Sequence, residues 1–355
     1  LNWDSRRLRA VAVAAALLPL LATGRPAQAD DTVSVVLAKG IPALMDTLDL
    51  VAEGAGFYKQ QHLIVQKKFV TGGAYEASLA CSNGDGDICP IGIEPLLTGY
   101  EKNIRLKLFL SRARHFAYVL SVLDSSPIQS PADFKGKNIG VHDLGPGSSG
   151  SFTTESNLAY YGLKPADYTL TAVGYERKAF DAVTSGRVDA AAFPSYELIP
   201  FIVSGKKLRI FYHPTLKDVA NVGYAASPTV IATKGNDIAR FSRAIVEAAL
   251  LVHDNPAGAA RLMLTARGDA FTEDDVKTVA AELAVWDPDL PAGDPASRTI
   301  GALSLTGLQP YIQLLTDVGV TKTAIPASEV VTDQFIDFAN AFDHATIDAL
   351  SKQLR

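Results

Sequence analysis

One unit occurs twice in this chain, and it constrains the architecture more than any single motif. A helix ends at Gly84, Asp87 stands three residues on at the start of a strand, and Glu94-Pro95 follows that strand's carboxyl end. Further along, a helix ends at Gly186, Asp189 stands three residues on, and Pro194-Ser195-Tyr196 follows the next strand. Glycine supplies the left-handed turn that stops a helix, and both units leave an open loop at the carboxyl end of a strand. The distance from glycine to proline is 11 residues in one copy and 8 in the other, so the repeat is approximate. Ligands of open parallel sheets bind outside the carboxyl ends of the strands. Two such units imply two sheets whose loops face a common cleft.

Hydrophobic periodicity fills in the rest. Strands are expected at Val33 to Ala38, His62 to Phe69, Asp87 to Ile91, Leu106 to Leu110, Tyr118 to Leu123 and Asn138 to Val141. Helices are expected at Ala43 to Glu53, Tyr75 to Ser82 and Glu94 to Lys102. This alternation reads as an α/β architecture of parallel sheets covered by helices. After Ala225 the character changes. One more strand is expected at Ser227 to Thr233, then helices at Ile238 to Asn255, Ala257 to Thr265, Glu273 to Val285, Leu303 to Val318 and Phe335 to Leu354. This tail is poor in candidate chemistry.

The strand Asn138 to Val141 feeds a loop, H-D-L-G-P-G-S-S-G-S, that opens a helix. Backbone N–H groups and hydroxyls converge there at the positive end of a helix dipole, a seat for an anionic or polar small molecule. A plain strand-to-helix turn has the same composition. The loop lacks the G-K-[ST] ending of a nucleotide P-loop, and its glycines do not form a dinucleotide fingerprint.

Arg6, Arg7 and Arg9 precede an apolar run from Ala10 to Ala22, and Ala27-Gln28-Ala29 supplies small residues for a signal peptidase. Residues 1–29 are therefore expected to be a cleaved export signal. The run is shorter than the roughly 20 residues a bilayer span needs. No cysteine follows it to carry a lipid, and Ser5-Arg6-Arg7 does not extend into a full twin-arginine pattern. Cleavage takes away four arginines and one aspartate, moving the net charge from -5 to -8. A chain this acidic has no electrostatic footprint for nucleic acid. Cys81 and Cys89 meet an oxidising compartment after export and can pair as a disulfide, or pack as two small apolar residues in a core. No histidine or second cysteine pair accompanies them, so a metal site is not expected. Nothing in the sequence calls for a cofactor.

Several stretches resemble the periplasmic substrate-binding proteins of ABC importers, in the branch that includes sulfonate, taurine, nitrate and thiamine-pyrimidine-precursor binders. The residues are Gly54-Ala55-Gly56-Phe57-Tyr58, Gly84 to Pro95, Asp124 to Val141 (D-S-S-P-I-Q-S-P-A-D-F-K-G-K-N-I-G-V), Gly186 to Ala190 and Gly307-Leu308-Gln309. The likeness runs from about Val33 to Phe338, with one extra serine, Ser126, in the longest motif. It implies a bilobal type II binding-protein fold, two parallel-sheet lobes joined by a two-crossing hinge, closing on one solute. The expected division is 30–122 with 226–355 for one lobe and 123–225 for the other, with crossings near Leu120 to Asp124 and Gly223 to Ser227. It further implies a periplasmic monomer whose partners are a small solute and an ABC permease in the inner membrane, with no nucleic acid.

Carried over by position at strand ends, the ligand-binding candidates of the first lobe are Ile41, Pro42, Gly72, Gly73, Glu94, Arg112, Arg114, His115 and Phe116. Those of the second are Ser148, Ser149, Ser151, Pro194, Ser195 and Tyr196. A guanidinium at Arg112 or Arg114 can grip a carboxylate or sulfonate bidentately, although solvated surface arginines read the same way. His115 and Phe116 can stack on a flat ligand, and Glu94 can accept from an amine or ring nitrogen. Equally, His115 can be an ordinary loop histidine and Glu94 a first-turn acid favoured by its helix dipole. The arginines and serines point to a small organic anion, whereas Glu94 with His115, Phe116 and Tyr196 would suit a pyrimidine or other nitrogen heterocycle. Enzymes share this kind of fold, but no cysteine-rich cluster, G-x-S-x-G or H-E-x-x-H is present. Catalysis is therefore not expected. A sensor that presents its closed form to a membrane receptor would have the same sequence features as an importer subunit.

Overall fold

The computed structural model describes residues 30–38, 46–71, 73–145, 148–174, 177–268, 270–287 and 299–354. The expected export signal lies outside the described residues. Among the described residues ten strands are formed: β1 (Asp31–Ala38), β2 (Leu63–Val70), β3 (Cys89–Gly92), β4 (Lys107–Ser111), β5 (Tyr118–Leu123), β6 (Asn138–Val141), β7 (Thr169–Ala172), β8 (Ala190–Pro194), β9 (Leu208–Phe211) and β10 (Val222–Ala226). In the first lobe β1 pairs with β2 in parallel, and a bridge from Val35 to Ile88 joins them to a sheet ordered β3-β10-β4. The second lobe holds one sheet, β7-β6-β8-β5-β9. This is the bilobal α/β binding-protein fold.

The two sequence echoes do the same structural work. Gly84 and Gly186 both adopt the left-handed backbone, φ 84° and 72°, that ends their helices. Asp87 then accepts the Ser34 N–H of β1 at 2.8 Å, and Asp189 accepts the Asn138 N–H of β6 at 2.8 Å. Each aspartate thus fastens the entry of its strand to the backbone of the neighbouring one, at Ser34 within β1 and at Asn138, the first residue of β6.

Four expectations are corrected. The sheets are mixed rather than parallel, because β5 runs antiparallel to β8 and β9, and β10 antiparallel to β3 and β4. The cause is topological: each follows a crossing at the loop end of the sheets and runs back the other way, so Tyr118 faces Pro194 and Val222 faces Gly92. The proposed hinge segments consequently fall largely inside β5 and β10, and the chain passes between sheets at 112–117 and 212–221. Ser227 to Thr233 is not a strand. The Ser227 hydroxyl accepts the Val230 N–H at 3.2 Å and Pro228 occupies the first turn, so a capped helix overrides the β-branched run. Phe335 to Leu354 is two helices, Ile336–Asn340 and Ala345–Gln353, because Asn340 bonds both backbone groups of Ile300 and Asp343 starts a new helix by accepting the Ala345 N–H.

Cys81 and Cys89 are free thiols, buried side by side in the first lobe's core. Burial, then the hydrogen bond with Cys81, holds the Cys89 thiol well above its ordinary pKa. The packed pair of thiols, not the bridge, is the arrangement present. Among the described residues no helix is long and apolar enough to cross a membrane, and no group of His, Cys, Asp or Glu is placed to hold a metal ion.

Candidate functional site

Loops follow the carboxyl ends of β1, β2, β6 and β7, and parts of these loops fall outside the described residues. Ile41, Pro42 and Gly72 are among those parts. Gly73 opens the Ala74–Asn83 helix, its N–H donating to Glu76 Oε2 at 2.8 Å.

Two buried clusters lie at the crossings between the sheets. The first centres on Glu94, in the first turn of the Ile93–Glu101 helix and fully buried. Its Oε1 accepts the Asn221 amide at 2.8 Å and the Tyr311 hydroxyl at 2.5 Å, and its Oε2 accepts the Ser149 hydroxyl at 3.1 Å. Burial raises the carboxyl above its ordinary range, against the opposing pull of these hydrogen bonds. Asn221 belongs to the second crossing, Tyr311 to the Leu305–Asp317 helix, and Ser149 to the second lobe. Glu94 is therefore a tie between the lobes with both oxygens occupied. The Asn221 carbonyl and side chain also take the Ile93 and Ala117 N–H groups at 2.9 Å each, stitching both crossings to this point.

The second cluster centres on Arg112, just past β4 and 6 % exposed. Its guanidinium lies over the Tyr224 ring, 4.9 Å from the centroid, and Nη2 is 3.8 Å from Asp49 Oδ2. Asp49 is already engaged, accepting Tyr224 at 2.6 Å and Tyr58 at 3.3 Å. Arg112 Nη2 is left buried without a hydrogen-bond partner. Asp46 joins the group; burial, then the nearby Asp49 charge, pushes its carboxyl up to about 6.

The second lobe contributes less polar surface than expected. Ser148 caps the Ser149–Tyr160 helix, accepting the Ser151 N–H at 3.3 Å and donating to the Asp143 carbonyl at 2.7 Å. Ser151 turns to the same carbonyl, so of the three serines only Ser149 reaches across to the first lobe. Pro194 ends β8, the Ser195 N–H donates to the Ala117 carbonyl at 2.7 Å, and Tyr196 is buried against Trp286. His142, directly after β6, bonds Glu197 at 2.8 Å with both side chains buried, and its ring stacks on Phe193 at 4.8 Å.

Of the remaining candidates, Phe116 lies in the core edge-on to Tyr311 at 4.9 Å, which removes it as a stacking platform. His115 stands 3.5 Å from Asp218, and Arg114 is half-buried. Of the candidates, Glu94 and Ser149 are brought into contact, Ser195 is fastened through Ala117 to the crossing that carries Arg112, and Tyr196 lies within electrostatic reach of Arg112. Reading the sequence missed Asp46, Asp49, His142, Glu197, Asn221, Tyr224, Trp286 and Tyr311. His142 follows a strand end, the rule that found Tyr196, and was open to detection. Tyr311 and Trp286 lie far along the chain and carry no local signal.

The family model for NMT1/THI5-like proteins matches residues 47–259. No curated protein sequence matches the chain. Among solved structures, the alkanesulfonate-binding protein SsuA from Xanthomonas axonopodis pv. citri, bound to MOPS, superposes with a TM-score of 0.63 at 18 % identity, covering 86 % of this chain and 99 % of that one. The periplasmic aliphatic sulphonate-binding protein SsuA from Escherichia coli gives a TM-score of 0.63 at 18 % identity, covering 85 % and 92 %. A point mutant of DSZB, in complex with biphenyl-2-sulfinic acid, gives 0.56 at 17 % identity, covering 87 % and 98 %. At these identities the likeness establishes the fold.

Proposed function

Given that the chain belongs to the NMT1/THI5-like family, we propose that it is the extracytoplasmic solute-binding component of an ABC importer and captures a small organic anion between its lobes. One observation carries the choice of ligand: Arg112 Nη2 is buried at a strand end between the lobes with no hydrogen-bond partner. An unsatisfied buried donor costs about 1–3 kcal/mol, more when charged, and a carboxylate or sulfonate oxygen is the complementary group. The heterocycle reading relied on Glu94 as acceptor, and Glu94 already takes three hydrogen bonds from within the chain.

The proposed site comprises Arg112, Ser195 and Tyr196, with Ile41, Pro42, Gly72, Gly73 and Arg114 as further candidates from the strand-end loops. Ser149 and Glu94 act as the tie that registers closure. The protein works in the periplasm as a monomer after loss of residues 1–29, and a permease reads its closed shape. No bond in the solute is made or broken, in contrast to an enzyme on the same fold.

Thermal-shift screening of residues 30–355 against alkanesulfonates, aliphatic and aromatic carboxylates, nitrate and pyrimidines tests this. A ligand at a hundred times its Kd stabilises by about 2.7 kcal/mol, a clear rise in Tm, and Arg112→Ala abolishes it. A pyrimidine that binds while every anion fails, or any measured turnover, overturns the proposal.

A further inference from the structure

The Ser195–Val203 helix of the second lobe is apolar on two sides, and the two sides serve different lobes. Tyr196, Ile199 and Val203, spaced three and four residues apart, form one stripe. That stripe joins the first lobe's main core, which also holds Val276, Leu283 and Trp286 of the Glu273–Trp286 helix. The two helices pack along each other, with the Tyr196 ring 6.1 Å from that of Trp286. Tyr196, Ile199, Leu283 and Trp286 are each at most 6 % exposed. Leu198, Phe201 and Ile202 form the other stripe and join the second lobe's core, where the Phe201 ring stacks on Phe180 at 3.7 Å. At the start of the helix the Ser195 N–H donates to the Ala117 carbonyl of the first crossing at 2.7 Å, so the helix sits beside the hinge.

A second seam joins the lobes through the Ser149–Tyr160 helix, and it is more polar. It brings the Ser149 hydroxyl to Glu94 at 3.1 Å and packs the partly buried Phe152 against the core that holds Ile93, Leu97 and Tyr311. Parting the first seam wets four large apolar side chains, at a cost proportional to their area. Parting the second gives up a hydrogen bond that water restores to both groups, and wets one ring. The second seam is therefore the weaker. We propose that the Ser195–Val203 helix is a third, noncovalent member of the hinge beside the two crossings, and that the lobes part along the Ser149–Glu94 seam while the Tyr196–Trp286 seam stays packed. Solute then enters on the Ser149 side, and Tyr196 keeps its place against the first lobe in open and closed forms alike. This inference rests on the clamp reading above and names the line along which the clamp opens.

Residues 30–355 carrying Thr153→Cys or Ile199→Cys are exposed, without solute, to N-ethylmaleimide, and the labelling of each thiol is timed by peptide mass. Thr153 is fully buried one turn beyond Ser149 on the same helix face, and Ile199 is 3 % exposed within the apolar seam. The native Cys81 and Cys89, buried in the first lobe, report the rate at which that lobe's own core opens. The thiol at position 153 is expected to label at least about tenfold faster than Cys89, through an opening confined to its seam, and the thiol at position 199 no faster than Cys89. Labelling at 199 as fast as at 153 overturns the inference while leaving the clamp reading intact. Labelling of both no faster than Cys89 means that the lobes do not part, and overturns the clamp reading and this inference together. Should either variant fail to fold, Trp286 of the unmodified protein decides alone, since it is the sole tryptophan of residues 30–355. Emission that acrylamide quenches no better than that of a buried indole upholds the inference, and quenching at the rate of a solvent-exposed indole overturns it.

Discussion

Replacing Tyr311 with phenylalanine tests the Glu94 tie with little change of shape. The hydroxyl donates to Glu94 Oε1 at 2.5 Å; in its absence the Asn221 amide still holds that oxygen at 2.8 Å, and Ser149 holds the other at 3.1 Å. A hydrogen bond to a charged group contributes about 1.5–3 kcal/mol and one between neutral groups about 0.5–1.5 kcal/mol. The loss therefore depends on whether Glu94 is ionised. Burial places its folded pKa above the ordinary 4.5, so Glu94 costs stability progressively as pH rises from that value through the folded one. Removing the hydroxyl, which favours the ionised form, raises the folded pKa further. The additional cost is present above the folded pKa and absent below 4.5. We expect Tyr311→Phe to lose about 1 kcal/mol at pH 4 and up to about 2 kcal/mol as pH rises through the folded pKa, read from urea unfolding of variant and wild type across the range. A loss that stays the same throughout would refute the reasoning, because it would mean that Glu94 does not change charge in its buried site.

Three further expectations follow from the packing. In Gly92→Ala the new Cβ would meet Glu94 Oε2 at 2.7 Å and Ser149 Oγ at 3.3 Å, so the tie must shift, with a loss of about 1–3 kcal/mol; unchanged urea midpoints would place Glu94 elsewhere. Glu197→Ala leaves the His142 imidazole buried without its acceptor and should cost about 1–3 kcal/mol by the same assay, whereas a loss under about 0.5 kcal/mol would deny the pair. Burial pushes Glu247 up to about 7. Its contribution to stability therefore falls as pH rises from 4.5 to about 7, and Glu247→Gln should flatten that part of the Tm–pH profile. An identical slope in variant and wild type would contradict this.

What was legible in the sequence is what neighbouring residues decide. Gly84, Gly186, Asp87 and Asp189 act within a few residues of their own strand and on the strand beside it, and their repetition carried the two-lobe architecture. Arg112, Ser149 and Tyr196 were singled out because each follows or opens an element at the loop end of a sheet. Local signals also misled where two of them competed. The β-branched run Val230-Ile231 reads as a strand, yet the Ser227 cap and Pro228 make it helical. The antiparallel course of β5 and β10 depends on where the chain crosses, which periodicity does not encode.

Tertiary structure alone decided which polar side chains are spent on holding the fold and which are left over. Glu94 reads as a ligand contact until Asn221, Tyr311 and Ser149, from three distant segments, converge on its two oxygens. Arg112 reads equally as an anion grip or a surface cation until Tyr58 and Tyr224 bond the carboxylate beside it and Nη2 is left buried without a hydrogen bond. The physical reason is that a buried donor or acceptor has few partners within reach, so its role is set by the whole inventory of groups folded around it. Residue order along the chain records the groups, and only their packing assigns the pairs.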